Sequence, residues 1–232
     1  VAGAVAGTFT DTVAYDAERR RLYSVKVPST PADPVVGLAE GVRRVIRQAG
    51  IVPKEVERII HGTTVGTNTL LERKGSRLGI LMTEGFEDTL IIGRQKRTDM
   101  YDLFIDAETP LFLCPRRRIR GVPERLDAEG GVLRPLDEGA LLAQVRDLVE
   151  KHGVESLAVC YLFSFLNPTH EQRTRELVSR HHPQVRVSLS GELDPRFREY
   201  ERLCVTAFDA YIGPIMERYL TRLEGQVRDL GV

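Results

Sequence analysis

The chain has 232 residues with 33 basic and 33 acidic side chains, so its formal charge is zero. At 42% hydrophobic and 28% charged residues it is an ordinary globular mixture, long enough to bury a sizeable core. The balance excludes a polyelectrolyte that works on nucleic acid or on a membrane surface.

The three cysteines, Cys114, Cys160 and Cys204, are widely spaced and odd in number, and no Cys/His cluster proposes a metal. Cys160 and Cys204 lie in apolar surroundings as buried thiols, which suits a reducing cytoplasm. There is neither an 18-residue apolar run nor a secretory leader pattern. The chain opens in a strand at Val1 and closes soon after a long helical pattern, and so reads as a piece trimmed from something longer.

In chain order, two β-prone arms, Val1–Val5 and Phe9–Tyr15, flank a Gly-Thr corner and predict a hairpin. Gly7 lacks a Cβ and can take a positive φ close to a ligand. Successive amides in such a corner suit phosphate oxygens. The hydroxyls of Thr8 and Thr10 add donors, and Asp11 offers a carboxylate for hydrated magnesium. A plain hairpin with Asp11 simply exposed is the alternative.

Arg21–Val27 predicts a third strand. Asp33 and Pro34 start a helix carried by Val35, Leu38, Ala39, Val42, Val45, Ile46 and Ala49 and stopped by Gly50. A strand is expected over Val56–Ile60, running into a Thr-rich loop from His61 to Thr69. A short helix over Leu70–Lys74 and a strand over Leu78–Thr83 follow. His61 sits where ligands of open α/β sheets are usually held. Its imidazole either steers a substrate carbonyl or is hydrogen-bonded beneath the loop. Thr63 and Thr64 are candidate contacts to phosphate or substrate, while Thr67 or Asn68 is expected to cap the next helix.

Gly85 to Ile92 predicts another helix start. Residues 96–136 are expected to be an irregular insertion with short strands near Arg118–Val122 and Gly131–Leu133, and Arg116–Arg118 a solvated strand face. Arg94 either clamps an anion with its planar fork or makes a structural ion pair. Asp137 caps a helix to Lys151, Ser156–Phe163 is a strand covered on both faces, and a helix from Asn167 to about Ser179 leads to a strand over Val185–Leu189. His181 and His182 read as helix-end capping. From Pro195 to Leu230 the chain is helical, with a break or kink at Gly213-Pro214. Tyr211, Ile215 and Leu220 are expected to pack on that helix. Three antiparallel strands followed by alternating helices and strands is the order of a ribonuclease H-like half-domain, and makes the class α/β with a mixed sheet.

Several stretches together resemble the N-terminal domain of the hydantoinase A / 5-oxoprolinase family. They are Gly7-Thr8-Phe9-Thr10-Asp11, the run from His61 to Gly75, Thr83-Glu84-Gly85-Phe86, Ile92-Gly93-Arg94-Gln95, Phe163 to Pro168, Arg198 to Arg202, and Ala210 to Pro214. They occur in the family's order across nearly the whole chain. The resemblance implies an actin-like ATPase superfamily fold, with residues 1–195 as the ribonuclease H-like domain and 196–232 as a helix that begins the next one. It also implies ATP with magnesium as cofactor and a small cyclic amide as substrate, a hydantoin or a 5-oxoproline-type lactam, phosphorylated on its carbonyl oxygen. A hydantoinase B-type partner, an oligomeric assembly and a cytoplasmic location are expected, with no nucleic acid or membrane partner.

On this footing Gly7, Thr8, Phe9, Thr10, Thr63 and Thr64 are the expected nucleotide contacts. Asp11 is the metal ligand, Asp11 and His61 the catalytic groups, and Arg94 and Glu201 the substrate contacts. Two departures stand out. The family's opening strand has Asp where Ala4 stands and Gly where Ala6 stands, which weakens the metal site. The family's other half is missing, so the chain alone is expected to be inactive, and a non-catalytic scaffold or regulatory module of the same fold is the alternative.

Overall fold

The computed structural model describes residues 1–5, 8–30, 33–95, 101 and 109–231. Backbone contacts group the chain into two units, Val1–Glu72 with Ile215–Val232, and Arg73–Pro214.

In the first unit β1 (Ala2–Val5), β2 (Phe9–Asp16) and β3 (Arg21–Pro28) form an antiparallel meander. Helix α1 (Pro34–Ala49) follows, and β4 (Ile60–Thr63) returns parallel to β1, giving the order β3-β2-β1-β4. Along β2 the burial alternates: Thr10, Thr12 and Ala14 are buried, Phe9, Asp11 and Tyr15 exposed. One face of the sheet is therefore covered and the other bare, the ordinary state of an antiparallel sheet. Val35, Leu38, Val42, Val45 and Ile46 of α1 pack with Ala14, Tyr219 and Leu223 to make the core of this unit. The bare face carries Phe9, Tyr15, Leu22 and Ile60, the last three at least 60% exposed.

Asp33 occupies the cap position of α1 without capping it: its carboxylate is engaged by Arg222 instead. Gly50 ends the helix at φ 65°, as its position predicts. β4 starts at Ile60, where the expected strand was to end. Its register, Ala2 opposite Ile60 and Val5 opposite Thr63, is set by the four residues of β1. Consequently α2 (Val65–Leu71) starts five residues earlier than expected, and Thr67 and Asn68 lie inside it. Thr64 takes the cap position, while the Thr63 hydroxyl accepts the Val65 N–H at 3.3 Å.

In the second unit β5 (Leu78–Thr83) and α3 (Thr89–Ile92) precede β6 (Ile119–Val122), and a small antiparallel pair follows, β7 (Arg125–Leu126) with β8 (Val132–Arg134). Then come α4 (Glu138–His152), β9 (Ser156–Cys160), α5 (Thr169–His181), β10 (Arg186–Leu189), α6 (Ser190–Leu193) and α7 (Glu199–Asp229), whose residues from Ile215 on are grouped with the first unit. The sheet order is β10-β9-β5-β6 with every neighbouring pair parallel. Every residue of β5 and β9 is buried, which is why both read as unbroken apolar runs. α4 and α5 contribute Leu141, Val145, Leu148, Leu177 and Val178 to its core.

Three expectations need correction. The stretch 119–122 is a member of the parallel sheet beside β5, not part of an irregular excursion. Arg116–Arg118 forms a 3₁₀ turn ahead of that strand, not a strand face. α7 runs through Pro214 unbroken. A proline there withholds the N–H that the Ala210 carbonyl would otherwise receive. The Ser76 hydroxyl donates to that carbonyl at 2.8 Å, and the Ser76 N–H donates to the Tyr211 carbonyl at 2.9 Å, so the helix loses little.

α1 approaches β2 closely because Gly41 lacks a side chain: a Cβ there would stand 2.3 Å from the Thr12 hydroxyl. Gly41→Val is expected to cost about 1–3 kcal/mol by overpacking. Gly62→Ala, where a Cβ meets nothing within 4 Å, should stay within about 0.5 kcal/mol of the parent. Chemical denaturation of the two variants checks both.

Candidate functional site

The alternation of burial along β2 separates the residues that the sequence groups together. Gly7 lies outside the described residues. Thr8 is exposed in a bend, and its carbonyl accepts the Ser29 N–H at 2.9 Å. Phe9 is exposed, with the Lys26 ammonium 5.2 Å from its ring centroid. Thr10 is fully buried on the covered face, its hydroxyl 3.1 Å from that of Ser29. A ligand can therefore meet Thr10 only through its backbone.

Asp11 points the other way. It stands directly across the ladder from Ala4 on one side and Lys26 on the other, and Gly62 lies beyond Ala4. Lys26, Asp11, Ala4 and Gly62 thus form one exposed row across the bare face. The Asp11 carboxylate is 3.7 Å from the Lys26 ammonium.

His61 belongs to β4 itself, on the covered face beside Gly3. Its Nδ1 lies 3.1 Å from the Gly3 carbonyl, which can only accept, so Nδ1 carries the proton. Nε2 is then the acceptor, and the Tyr219 hydroxyl donates to it at 2.6 Å. The two rings lie 5.8 Å apart. Burial holds the imidazole below its ordinary pKa, against the pull of the Gly3 carbonyl, and favours the neutral form. Burial likewise pushes the Tyr219 phenol up, opposed by a hydrogen bond with Thr63. His61, Tyr219 and Thr63 therefore form one cluster on the covered face. Asp11 and His61 occupy opposite faces of the same sheet and are not brought together.

In the second unit Arg94 and Glu201 meet: Nε donates to the carboxylate at 2.7 Å. Burial works to raise the Glu201 carboxyl, but hydrogen bonds from Arg94 and from its own backbone, with the charges of Arg94 and Arg198, together leave the group below its usual range. Two of the family-like stretches join in a buried network close by in sequence. Arg202, 1% exposed, donates to the Ser164 hydroxyl at 2.5 Å, to the Ser190 hydroxyl at 2.9 Å and to the Tyr161 carbonyl at 3.0 Å. Glu171, fully buried, accepts from Ser190, Gly191 and Tyr161. Burial pushes the Glu171 carboxyl up, opposed by these hydrogen bonds.

Sequence reasoning missed Tyr219, and reached Arg202 only as part of the family-like stretch Arg198–Arg202. Tyr219 sits four residues from both Ile215 and Leu223 and looks like plain packing; Leu220, expected to pack, is 46% exposed. Cys114 and Cys160 are buried and their thiols pushed up to about 12, so neither is a nucleophile. Among the described residues no group of three or more His, Cys, Asp or Glu side chains is arranged to hold a metal, and no helix is long and apolar enough to cross a membrane.

An antiparallel meander joined by a parallel fourth strand, followed by a helix that starts just after β4, is the frame in which these residues stand. The family model for the hydantoinase/oxoprolinase N-terminal region matches residues 4–182, and the chain belongs to that family. Caprolactamase subunit alpha of Pseudomonas jessenii is 33% identical over 229 residues, covering 97% of this chain and 33% of the relative. The crystal structure of the ATP-dependent caprolactamase from that organism matches 100% of the chain with a TM-score of 0.84. Acetophenone carboxylase gamma subunit of Aromatoleum aromaticum is 36% identical, with 92% of this chain and 31% of the relative covered. 5-Oxoprolinase 1 of Arabidopsis thaliana is 33% identical, with 93% and 19% covered. The chain thus spans a third or less of the length of these relatives.

Tyr219→Phe removes one donor from a half-buried imidazole and should cost about 1 kcal/mol in denaturant unfolding. The His61 pKa is lower folded than unfolded, so its contribution to stability is present above the unfolded value of about 6.5 and is lost as the pH falls toward the folded value. Stability should therefore decline between neutral pH and pH 5.5, and His61→Gln should flatten that slope; an unchanged slope in the variant contradicts the assignment.

Proposed function

We propose that this chain is the N-terminal, ribonuclease H-like part of an ATP-dependent enzyme that opens cyclic amides of the hydantoin or 5-oxoproline type. The observation that carries the reading is the match of the whole chain, at 33% identity and a TM-score of 0.84, to an ATP-dependent caprolactamase. The strand order β3-β2-β1-β4, with only the β1–β4 pair parallel, agrees with an actin-like half-domain. A B-type partner subunit, an oligomeric state and a cytoplasmic setting belong to the same reading.

Bound ATP would supply the phosphoryl group that turns an inert lactam carbonyl into a reactive one. Magnesium needs one or two carboxylates besides phosphate oxygens. Asp11 meets that need on the bare face, where the methyl group of Ala4 adds nothing, so the residues present fit a weakened site. Thr8 offers an exposed hydroxyl and amide at the corner. Thr63 and Thr64 stand at the start of α2, with the Thr63 hydroxyl already tied to Val65 and Tyr219. His61 acts as a positioning residue: held neutral between Gly3 and Tyr219, it fixes the end of β4 from which Thr63 and Thr64 extend. Arg94 offers a guanidinium to a substrate carbonyl or carboxylate, with Glu201 keeping it oriented.

Ala4 favours a second reading, in which the chain keeps the fold but serves as a scaffold or regulatory module without turnover. Calorimetric titration with Mg-ATP separates the two. Ala4→Asp should place a second carboxylate beside Asp11 and tighten binding about tenfold or more. Asp11→Asn should weaken it, and ring opening by the full-length protein with its partner should follow the same order. If neither the parent nor the Ala4→Asp form responds to nucleotide in the full-length protein, the ATPase reading fails.

A further inference from the structure

The second unit contains a recess of about 390 Å³ lined by Arg77, Arg117, Arg118, Lys151 and His152. These residues come from three places that the parallel sheet gathers at one end of its strands. Arg77 immediately precedes β5, Arg117 and Arg118 close the 3₁₀ turn before β6, and Lys151 and His152 end α4 shortly before β9. All three strands run the same way, so the recess lies at the amino ends of the strands. Ligands of open α/β sheets are usually held at the carboxyl ends, so this recess needs its own explanation.

Its charge is poorly compensated. Asp147 is divided between Arg120 at 2.6 Å and Lys151 at 2.7 Å, with His152 at 4.0 Å. Glu155 accepts the backbone N–H of Arg77 at 3.1 Å. Among the described residues no carboxylate pairs with the guanidinium of Arg77, Arg117 or Arg118. The Arg118 Nε is buried without a hydrogen-bond partner, an uncommon state for a strong donor. Burial first, then the charges of Arg117 and Arg77, hold the Arg118 guanidinium below its ordinary pKa. Gly153 leaves room for Arg77 to lean inward, since a Cβ there would be 2.6 Å from the Arg77 Nη1.

Uncompensated guanidiniums around a concave space are the arrangement that recognises phosphate, through planar forks that donate two parallel hydrogen bonds. The volume lies toward the small end of ligand pockets, about 300–1,000 Å³, and suits a compact ligand. We propose that this recess binds a small phosphorylated anion carrying two or more negative charges. The site is independent of the corner between β1 and β2 and of the proposed reaction.

Inorganic pyrophosphate is the probe, titrated calorimetrically into the protein at low ionic strength, where screening is weak. One saturable site per chain is expected, weakened about tenfold or more by either Arg77→Gln or Arg117→Gln and unchanged by Arg134→Gln, a surface guanidinium paired elsewhere with Glu84. Arg77 and Arg117 are exposed, so both variants should melt like the parent. Absence of saturable binding overturns the proposal. So does binding that persists in both variants, or that is abolished by Thr8→Ala, which would assign the anion to the β1–β2 corner.

Discussion

The first unit is governed by the two-residue period of β2. Because successive side chains of a strand leave on opposite sides, Thr10 and Asp11 cannot serve the same ligand with their side chains. Thr10, Thr12 and Ala14 must face α1, and Asp11 must face away from it. The same rule carries across the ladder to β1 and β4, putting Ala4 and Gly62 on the side of Asp11 and His61 on the side of Thr12. What looks in sequence like one cluster of chemical groups is therefore two: a carboxylate on the bare face and an imidazole–phenol–hydroxyl cluster on the covered one.

This sorts the candidate residues by what they can do. Asp11 is exposed, and among the described residues its ion-pair partner is Lys26 at 3.7 Å. His61 has both nitrogens engaged, by the Gly3 carbonyl and the Tyr219 hydroxyl, and burial holds its pKa down. Arg94 and Glu201 neutralise one another at 2.7 Å, and a substrate would have to share that pair.

Much of the architecture was legible in the sequence. The hairpin, the third strand, α1 with its Gly50 stop, and β5 all fall where periodicity and turn chemistry put them. The start of β4 was not, because Val56, Ile59 and Ile60 are apolar whichever of them pairs, and only partnership with β1 decides. Pro214 signalled a break that the structure does not make, since the compensating donor, Ser76, lies more than a hundred residues away. Tyr219 went unnoticed for a similar reason: its partner His61 is 158 residues distant, and nothing local marks a helix tyrosine as polar in function. The family-like blocks located the region of the candidate site but not the faces on which its residues stand.

The bare face of the first sheet has a practical consequence. Phe9, Tyr15, Leu22 and Ile60 lie there in water, interrupted by Asp11 and Lys26. An apolar surface of this kind attracts whatever protein surface is nearby. Purified by itself, this stretch of polypeptide would cling to copies of itself or to column matrices, and Leu22→Lys would be the least intrusive remedy: position 22 is 67% exposed, on an outer strand, where a lysine also discourages edge-to-edge pairing.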